Sequence, residues 1–172
     1  MNFENEFGSY LVDNTGKRFE TNVLLQSKKF ILLSFSKSTC PPCQQLYPYL
    51  RNIYETHKKS LEIIWVPADD PQEFHSYIQK QPWKSIPLES NKRFEINVRT
   101  CTKGIPQLWL ISATTGKVIS HDIEEIMNSP NWLEHAEQLE EKSQYKWTND
   151  LCSTVFDQNE TVFDSKSVFE NK

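Results

Sequence analysis

The chain has 172 residues, 19 of them Lys or Arg and 23 Asp or Glu, giving a formal net charge of −4, and 37% are hydrophobic. That length suits one compact domain, and two full domains would crowd it. The acidic balance leaves no basic surplus for a phosphate backbone, which excludes nucleic acid as a principal partner. No apolar run exceeds four residues, far short of the roughly 20 that a membrane-spanning helix requires.

The first residues, Met1 to Glu6, are acidic and lack the basic and then apolar stretch of a secretory signal. Four cysteines are too few for a disulfide-held scaffold, and a chain of this length can bury a core without one. The expected setting is therefore the cytoplasm or another reducing compartment.

In chain order, Ser9 to Val12 and Arg18 to Asn22 flank the turn-forming Asn14-Thr15-Gly16-Lys17 and predict a hairpin. Phe30 to Phe35 is a short apolar run that suits a central strand buried on both faces. After Cys40, Leu46, Leu50, Ile53, Tyr54 and His57 recur at helical spacing behind Pro41 and Pro42, which a first helical turn tolerates. Pro48 inside that helix removes one backbone donor and is expected to kink it. Leu61 to Val66 reads as the next strand, and Pro71 to Gln79 as the next helix, with Phe74, Tyr77 and Ile78 on one side.

Phe94, Ile96 and Val98 fit either period over so short a stretch, and the reading leans to helix. Gln107 to Ser112 predicts a second buried strand, and Thr114 to Lys117 turns it into Val118 to Ser120. Ser129 and Pro130 suggest an N-cap and first-turn pair for a helix through Trp132, Leu133, Ala136 and Leu139, which would close the domain near Trp147. The organisation read is a domain over residues 1–147 and an acidic tail over 148–172. In the tail, Val155-Phe156, Val162-Phe163 and Val168-Phe169 recur in polar chain. They read either as chance in a biased segment or as apolar anchors of a segment that docks on a larger protein complex.

The chemistry lies in Cys40-Pro41-Pro42-Cys43, the sole CxxC of the chain. A buried strand feeds into it and a helix begins there, so the first sulfur meets a helix N-terminus, where free N–H groups and the helix dipole favour a thiolate. The second sulfur, one turn behind, can attack a mixed disulfide formed at the first. Zinc would need two further ligands at similar spacing. Cys101, Cys152, His57, His75, His121 and His135 offer no second CxxC and no tight Cys/His pair. Cys101 and Cys152 read as ordinary small residues, with a regulatory or second resolving thiol as the alternative for Cys101 near Gly104.

A strand ending before CPPC, a proline five residues past the second cysteine and a later Gly104-Ile105-Pro106 before a strand resemble the thioredoxin superfamily. The tryparedoxin and nucleoredoxin branch is suggested by CPPC itself, by Pro71-Gln72-Glu73-Phe74 leading to Gln81-Pro82-Trp83 and Ile86-Pro87-Leu88, and by Thr115-Gly116-Lys117-Val118. The resemblance covers about residues 9 to 147. It implies an α/β three-layer fold, a mixed sheet flanked by helices, with the hairpin at its N-terminal side. It further implies Cys40 as exposed nucleophile and Cys43 as buried resolving thiol, the two forming a redox-active disulfide with no other cofactor. Pro106 would be cis and face them, and Thr39, Pro41, Gly104 and Ile105 would complete a substrate groove.

The implied activity is reduction of protein disulfides, peroxidases included, with a low-molecular-weight thiol or a reductase as electron donor. The alternative is a thioredoxin-fold subunit or adaptor of a larger assembly, in which the dithiol is secondary. Two departures bear on this choice. The tryptophan usual before the first cysteine is Thr39, and the buried acid many thioredoxins keep six residues before the nucleophile is Ser34. Asp69 and Asp70 read as solvated loop acids, and Trp83 between two prolines reads as loop packing rather than substrate contact.

Overall fold

The computed structural model describes residues 1–156. Its centre is β3 (Phe30–Ser36), whose seven residues are all buried. A strand buried on both faces needs a neighbour at each edge and a layer on each side. It pairs in parallel with β4 (Leu61–Pro67) and antiparallel with β6 (Gln107–Ser112). The parallel pairing needs a crossover, and α3 (Pro41–His57) supplies it.

The N-terminal hairpin is β1 (Tyr10–Val12) with β2 (Arg18–Glu20), and its turn is tied by Asp13 Oδ1, which accepts from the N–H groups of Thr15 and Lys17 at 2.8 and 3.0 Å. Gly16 takes the left-handed conformation this turn needs, at φ 81. With β5 (Lys84–Ser85) and β7 (Val118–Ser120), the described residues form one mixed sheet in the order β2-β1-β5-β4-β3-β6-β7.

Alternate residues of β3 feed two cores. Phe30 and Leu32 face α3, α4 (Pro71–Ile78), α6 (Ile123–Met127) and α7 (Trp132–Lys142) through Leu46, Phe74, Ile126 and Trp132. Ile31, Leu33 and Phe35 face α1 (Phe3–Phe7), α2 (Thr21–Leu25), α5 (Lys92–Arg99) and α8 (Leu151–Phe156). Period-two burial of one strand thus generates the three layers.

Residues 94–98 are helical, as the reading leaned, with Ile96 as the buried side at 1% exposure and Phe94 and Val98 74% and 59% exposed. The helix turns that way because Ile96 and Thr100 share the opposite face; Thr100 is fully buried and its Oγ1 donates to the Ile96 carbonyl at 2.8 Å. Two expectations are corrected. First, α7 starts two residues past the Ser129-Pro130 pair, with Asn131 as N-cap. The Trp132 indole fixes that start by donating to the Ile126 carbonyl at 2.8 Å.

The second correction is the boundary at Trp147. The chain beyond α7 runs back along the β6–β7 turn, with Val118 N–H on Tyr145 O at 3.0 Å and Trp147 N–H on Gly116 O at 2.9 Å. It then forms α8, whose Leu151 and Val155 are 0% and 6% exposed in the second core. Six residues cannot hold a helix alone, so α8 exists because it is docked. Val155 is a core residue, not a free anchor for a partner. Phe156 ends α8, and Val162, Phe163, Val168 and Phe169 lie outside the described residues.

Candidate active site

At the carboxyl end of β3 the chain leaves the sheet, crosses Lys37 to Thr39 and enters α3 with Cys40 as its N-cap. Pro41 and Pro42 fill the first two helical positions and have no N–H to offer. The first helical donor is therefore that of Cys43, which points at Cys40 Sγ at 3.3 Å. Cys40 is partly exposed and Cys43 buried, at 3% exposure. The two sulfurs stand at disulfide distance with the Cα atoms 5.3 Å apart, inside the ordinary span for a bridge.

Across from this helix end, the Ile105–Pro106 peptide bond is cis, as the resemblance implies. It brings the Ile105 carbonyl oxygen to 3.9 Å from Cys40 Sγ. Thr39, Pro41 and Gly104 are exposed, Ile105 half-buried and Pro106 buried. The partly exposed Cys40 thus lies between the exposed Thr39 and Pro41 on its own segment and faces the half-buried Ile105 across from it.

The loop before Cys40 is pinned from beneath by a residue the sequence reading assigned to a solvated loop. Asp69 is only 5% exposed. Its Oδ1 accepts from the Ser38 N–H at 2.9 Å and from the Ser38 hydroxyl. Gln44 Nε2 donates to the Ser38 carbonyl at 2.7 Å, closing the loop onto the first turn of α3. Asp70 is the N-cap of α4 and accepts from the N–H groups of Gln72 and Glu73. Lys37 pairs with Glu73 at 3.1 Å, and that carboxylate pushes the Lys37 ammonium above its ordinary range. One clue to Asp69 existed in the sequence: it follows the strand next to the cysteine strand and precedes the Asp-Pro start of a helix.

Behind Cys43 lies a cavity of about 10 Å³ lined by Ser34, Cys43, Tyr77, Gln81, Trp83 and Pro106, among others, room for about one water molecule. Burial pushes the Tyr77 phenol above its ordinary range, against a lowering hydrogen bond from Gln81. Trp83 is 3% exposed and packs against the rings of Tyr47 and Tyr54 at 5.4 and 5.9 Å. Its indole Nε1 is buried with no hydrogen-bond partner among the described residues. Among those residues, no three His, Cys, Asp or Glu side chains gather to hold a metal ion.

Cys101 and Cys152, read as ordinary small residues, are also paired, with Cα atoms 5.4 Å apart across 51 positions. Spacing alone could not reveal a contact made by docking α8 on α5.

Residues 28–118, more than half of the chain, match the model of the thioredoxin-like family. The chain belongs to the thioredoxin-like family. It is 35% identical over 95 residues to tryparedoxin of Trypanosoma brucei brucei, covering 53% of this chain and 66% of that protein. It is 32% identical over 117 residues to probable nucleoredoxin 1 of Arabidopsis thaliana, covering 66% of this chain but 20% of that one. The solved tryparedoxin from Trypanosoma brucei superposes with a TM-score of 0.62 at 27% identity, over 73% of this chain and 92% of the other. The matches thus span just under two-thirds of one relative's length and about a fifth of the other's. The thioredoxin-like match contains Cys40, Cys43, Pro106 and Cys101, and ends before α8 and Cys152.

Proposed function

We propose that this chain is a thiol–disulfide oxidoreductase that reduces protein disulfides. The observation that carries the reading is a partly exposed sulfur at a helix N-terminus, with a shielded partner one turn behind and the cis-proline loop 3.9 Å away at Ile105 O. In the reduced protein, the Cys40 thiolate is favoured by the Cys43 N–H and the helix end. It attacks one sulfur of the substrate disulfide and expels the other as a thiol, leaving a mixed disulfide at Cys40. The Cys43 thiolate then attacks Cys40 Sγ, releases the second substrate thiol and closes Cys40–Cys43. Two electrons have passed from the protein dithiol to the substrate.

Thr39, Pro41, Gly104, Ile105 and Pro106 form the groove in this reading, and the Ile105 backbone pairs with an extended substrate strand. Peroxidases are one substrate class. A low-molecular-weight thiol or a reductase restores the dithiol, in the cytoplasm or another reducing compartment. Ser34 in place of an acid leaves Ser36, Tyr47, Tyr77, Gln81 and Trp83 as the other polar residues lining the cavity behind Cys43. An adaptor role is supported by Thr39 in place of tryptophan and by the Val-Phe tail, of which Val155 is taken up by the core; its docking segment is then Phe156, Val162-Phe163 and Val168-Phe169.

The test is insulin reduction by the full chain with dithiothreitol as donor, together with a Cys43→Ser variant. Wild type should turn over, and the variant, reduced and then freed of dithiothreitol, should accumulate a mixed disulfide with insulin at Cys40. Equal insulin reduction by wild type and a Cys40→Ser chain would remove the assignment.

A further inference from the structure

Cys101 and Cys152 are the two cysteines this reaction does not use, and the four cysteines are all paired. Cys101 sits just past α5. Its N–H reaches the Val98 carbonyl at 3.2 Å, and that of Thr102 reaches Asn97 at 3.1 Å, the two bonds that end a helix through a left-handed residue, usually glycine. Cys101 makes that turn at φ 48, whereas the other described residues of positive φ are Gly8, Gly16 and Gly116. A side chain is strained there, so the thiol, not the turn, accounts for a cysteine at this place.

The bond lies at a junction. Only Thr102 and Lys103 separate Cys101 from Gly104, Ile105 and cis-Pro106. Cys152 is in the first turn of α8, a helix held otherwise by Leu151 and Val155. Both cysteines are half-buried, open to exchange with a small thiol, as labile disulfides are.

We propose that Cys101–Cys152 is a second redox-active disulfide, exchanged with small-molecule thiols, whose state governs how firmly the Gly104 to Pro106 loop is held for substrate. In the opening direction, a small-molecule thiolate attacks one sulfur, the protein S–S bond breaks and a mixed disulfide forms. A second thiolate attacks the small-molecule sulfur of that mixed disulfide and releases a small-molecule disulfide. Two small thiols are oxidised, the protein bond gains two electrons, and two protons end on Cys101 and Cys152. Opening frees α8 from the end of α5 and relaxes the turn from which the substrate loop departs; closing reverses both. The effect on substrate rests on the function proposed above, whereas the exchange itself does not.

A full-length Cys40→Ala/Cys43→Ala chain leaves this pair alone. It is equilibrated in glutathione buffers of stepped ratio, and free thiols are counted by mass after alkylation. The expected result is a midpoint inside the glutathione range with the circular dichroism of the folded chain retained, and faster amide exchange at residues 102–105 in the open form. A bond that persists across the series, opens only as the fold melts, or opens without faster exchange overturns the proposal. In the active chain, Cys101→Ser/Cys152→Ser should raise the KM for insulin about fivefold, the lower end of ordinary coupling between sites, with kcat held. An unchanged KM overturns the coupling. If wild type reduces no disulfide at all, the function falls, and the thiol count and exchange rates still decide the second pair.

Discussion

Replacing Leu151 by Ala tests whether α8 belongs to the domain. The side chain is fully buried among the residues of the second core. Truncation removes three carbons, about 2.4 kcal/mol at roughly 0.8 kcal/mol per buried methylene. A residual cavity brings fully buried Leu→Ala changes to about 3 to 5 kcal/mol. We expect a loss of about 3 kcal/mol, or a fall of about 6 to 12 °C in Tm for a chain of this size. Urea melts of the full chain give the free energy from the midpoint, provided the slope is unchanged. They are run in oxidised and reduced forms, because a bridge across 51 positions contributes about 4 kcal/mol through the unfolded chain and must be matched between variants. Val23→Ala, at a side chain 57% exposed, is the control and should stay within about 0.5 kcal/mol. If Leu151→Ala behaves like the control in both forms, α8 is an appendage and the domain does end at Trp147.

Alkylation of the reduced chain at mildly acidic pH should label Cys40 before Cys43, since Cys40 is partly exposed and Cys43 is 3% exposed; mass mapping that finds Cys43 first reverses the roles. Asp69→Ala leaves the Ser38 N–H without its acceptor, a cost of about 1 to 3 kcal/mol, and should lower kcat/KM for insulin about tenfold by loosening the loop before Cys40; unchanged kinetics would make Asp69 a purely structural residue. Burial pushes the Glu62 carboxyl above its ordinary range, against the pull of Lys84 and Lys28 and a 3.1 Å hydrogen bond from Tyr54. The folded state therefore holds that proton more tightly than the unfolded chain, so this contribution is full below the ordinary glutamate range and is lost as pH rises through the raised value. Urea midpoints against pH should show Glu62→Gln more stable than wild type at neutral pH and without that loss, and a less stable Gln variant at pH 7 would contradict the sign.

The parts of the fold that were legible in the sequence are those specified by neighbours in the chain. Phe30 to Phe35, a short run of apolar β-formers, suited a strand covered on both faces and is one. Pro41 and Pro42 fit a first helical turn and the apolar period behind them fits a helix, so the cysteine pair was placed at a helix start by local rules. The cis state of Ile105–Pro106 came instead from the resemblance, since local chemistry favours trans at an X-Pro bond. What escaped was set by distant partners. Asp69 is buried because the loop after β3 settles on the end of β4, bringing Ser38 onto its carboxylate. Phe94 and Val98 face outward because Ile96 and Thr100 claim the sheet.

Val155 carries the same lesson for the tail. A Val-Phe pair repeated through polar chain looks alike at each copy, yet the first copy contributes a core residue and sits three positions from a cysteine tied to α5. Repetition of a string is information about composition, whereas burial depends on what the fold presents at that place. Here the fold presents the face of the sheet already covered by α1, α2 and α5, with room beside Trp147 for one more short helix. The chemistry stands at the carboxyl ends of β3 and β4, and among the described residues α8 is bonded to Cys101, two residues before the loop to Pro106. The covalent route from α8 toward substrate therefore runs through that segment, whose end lies 3.9 Å from the Cys40 sulfur.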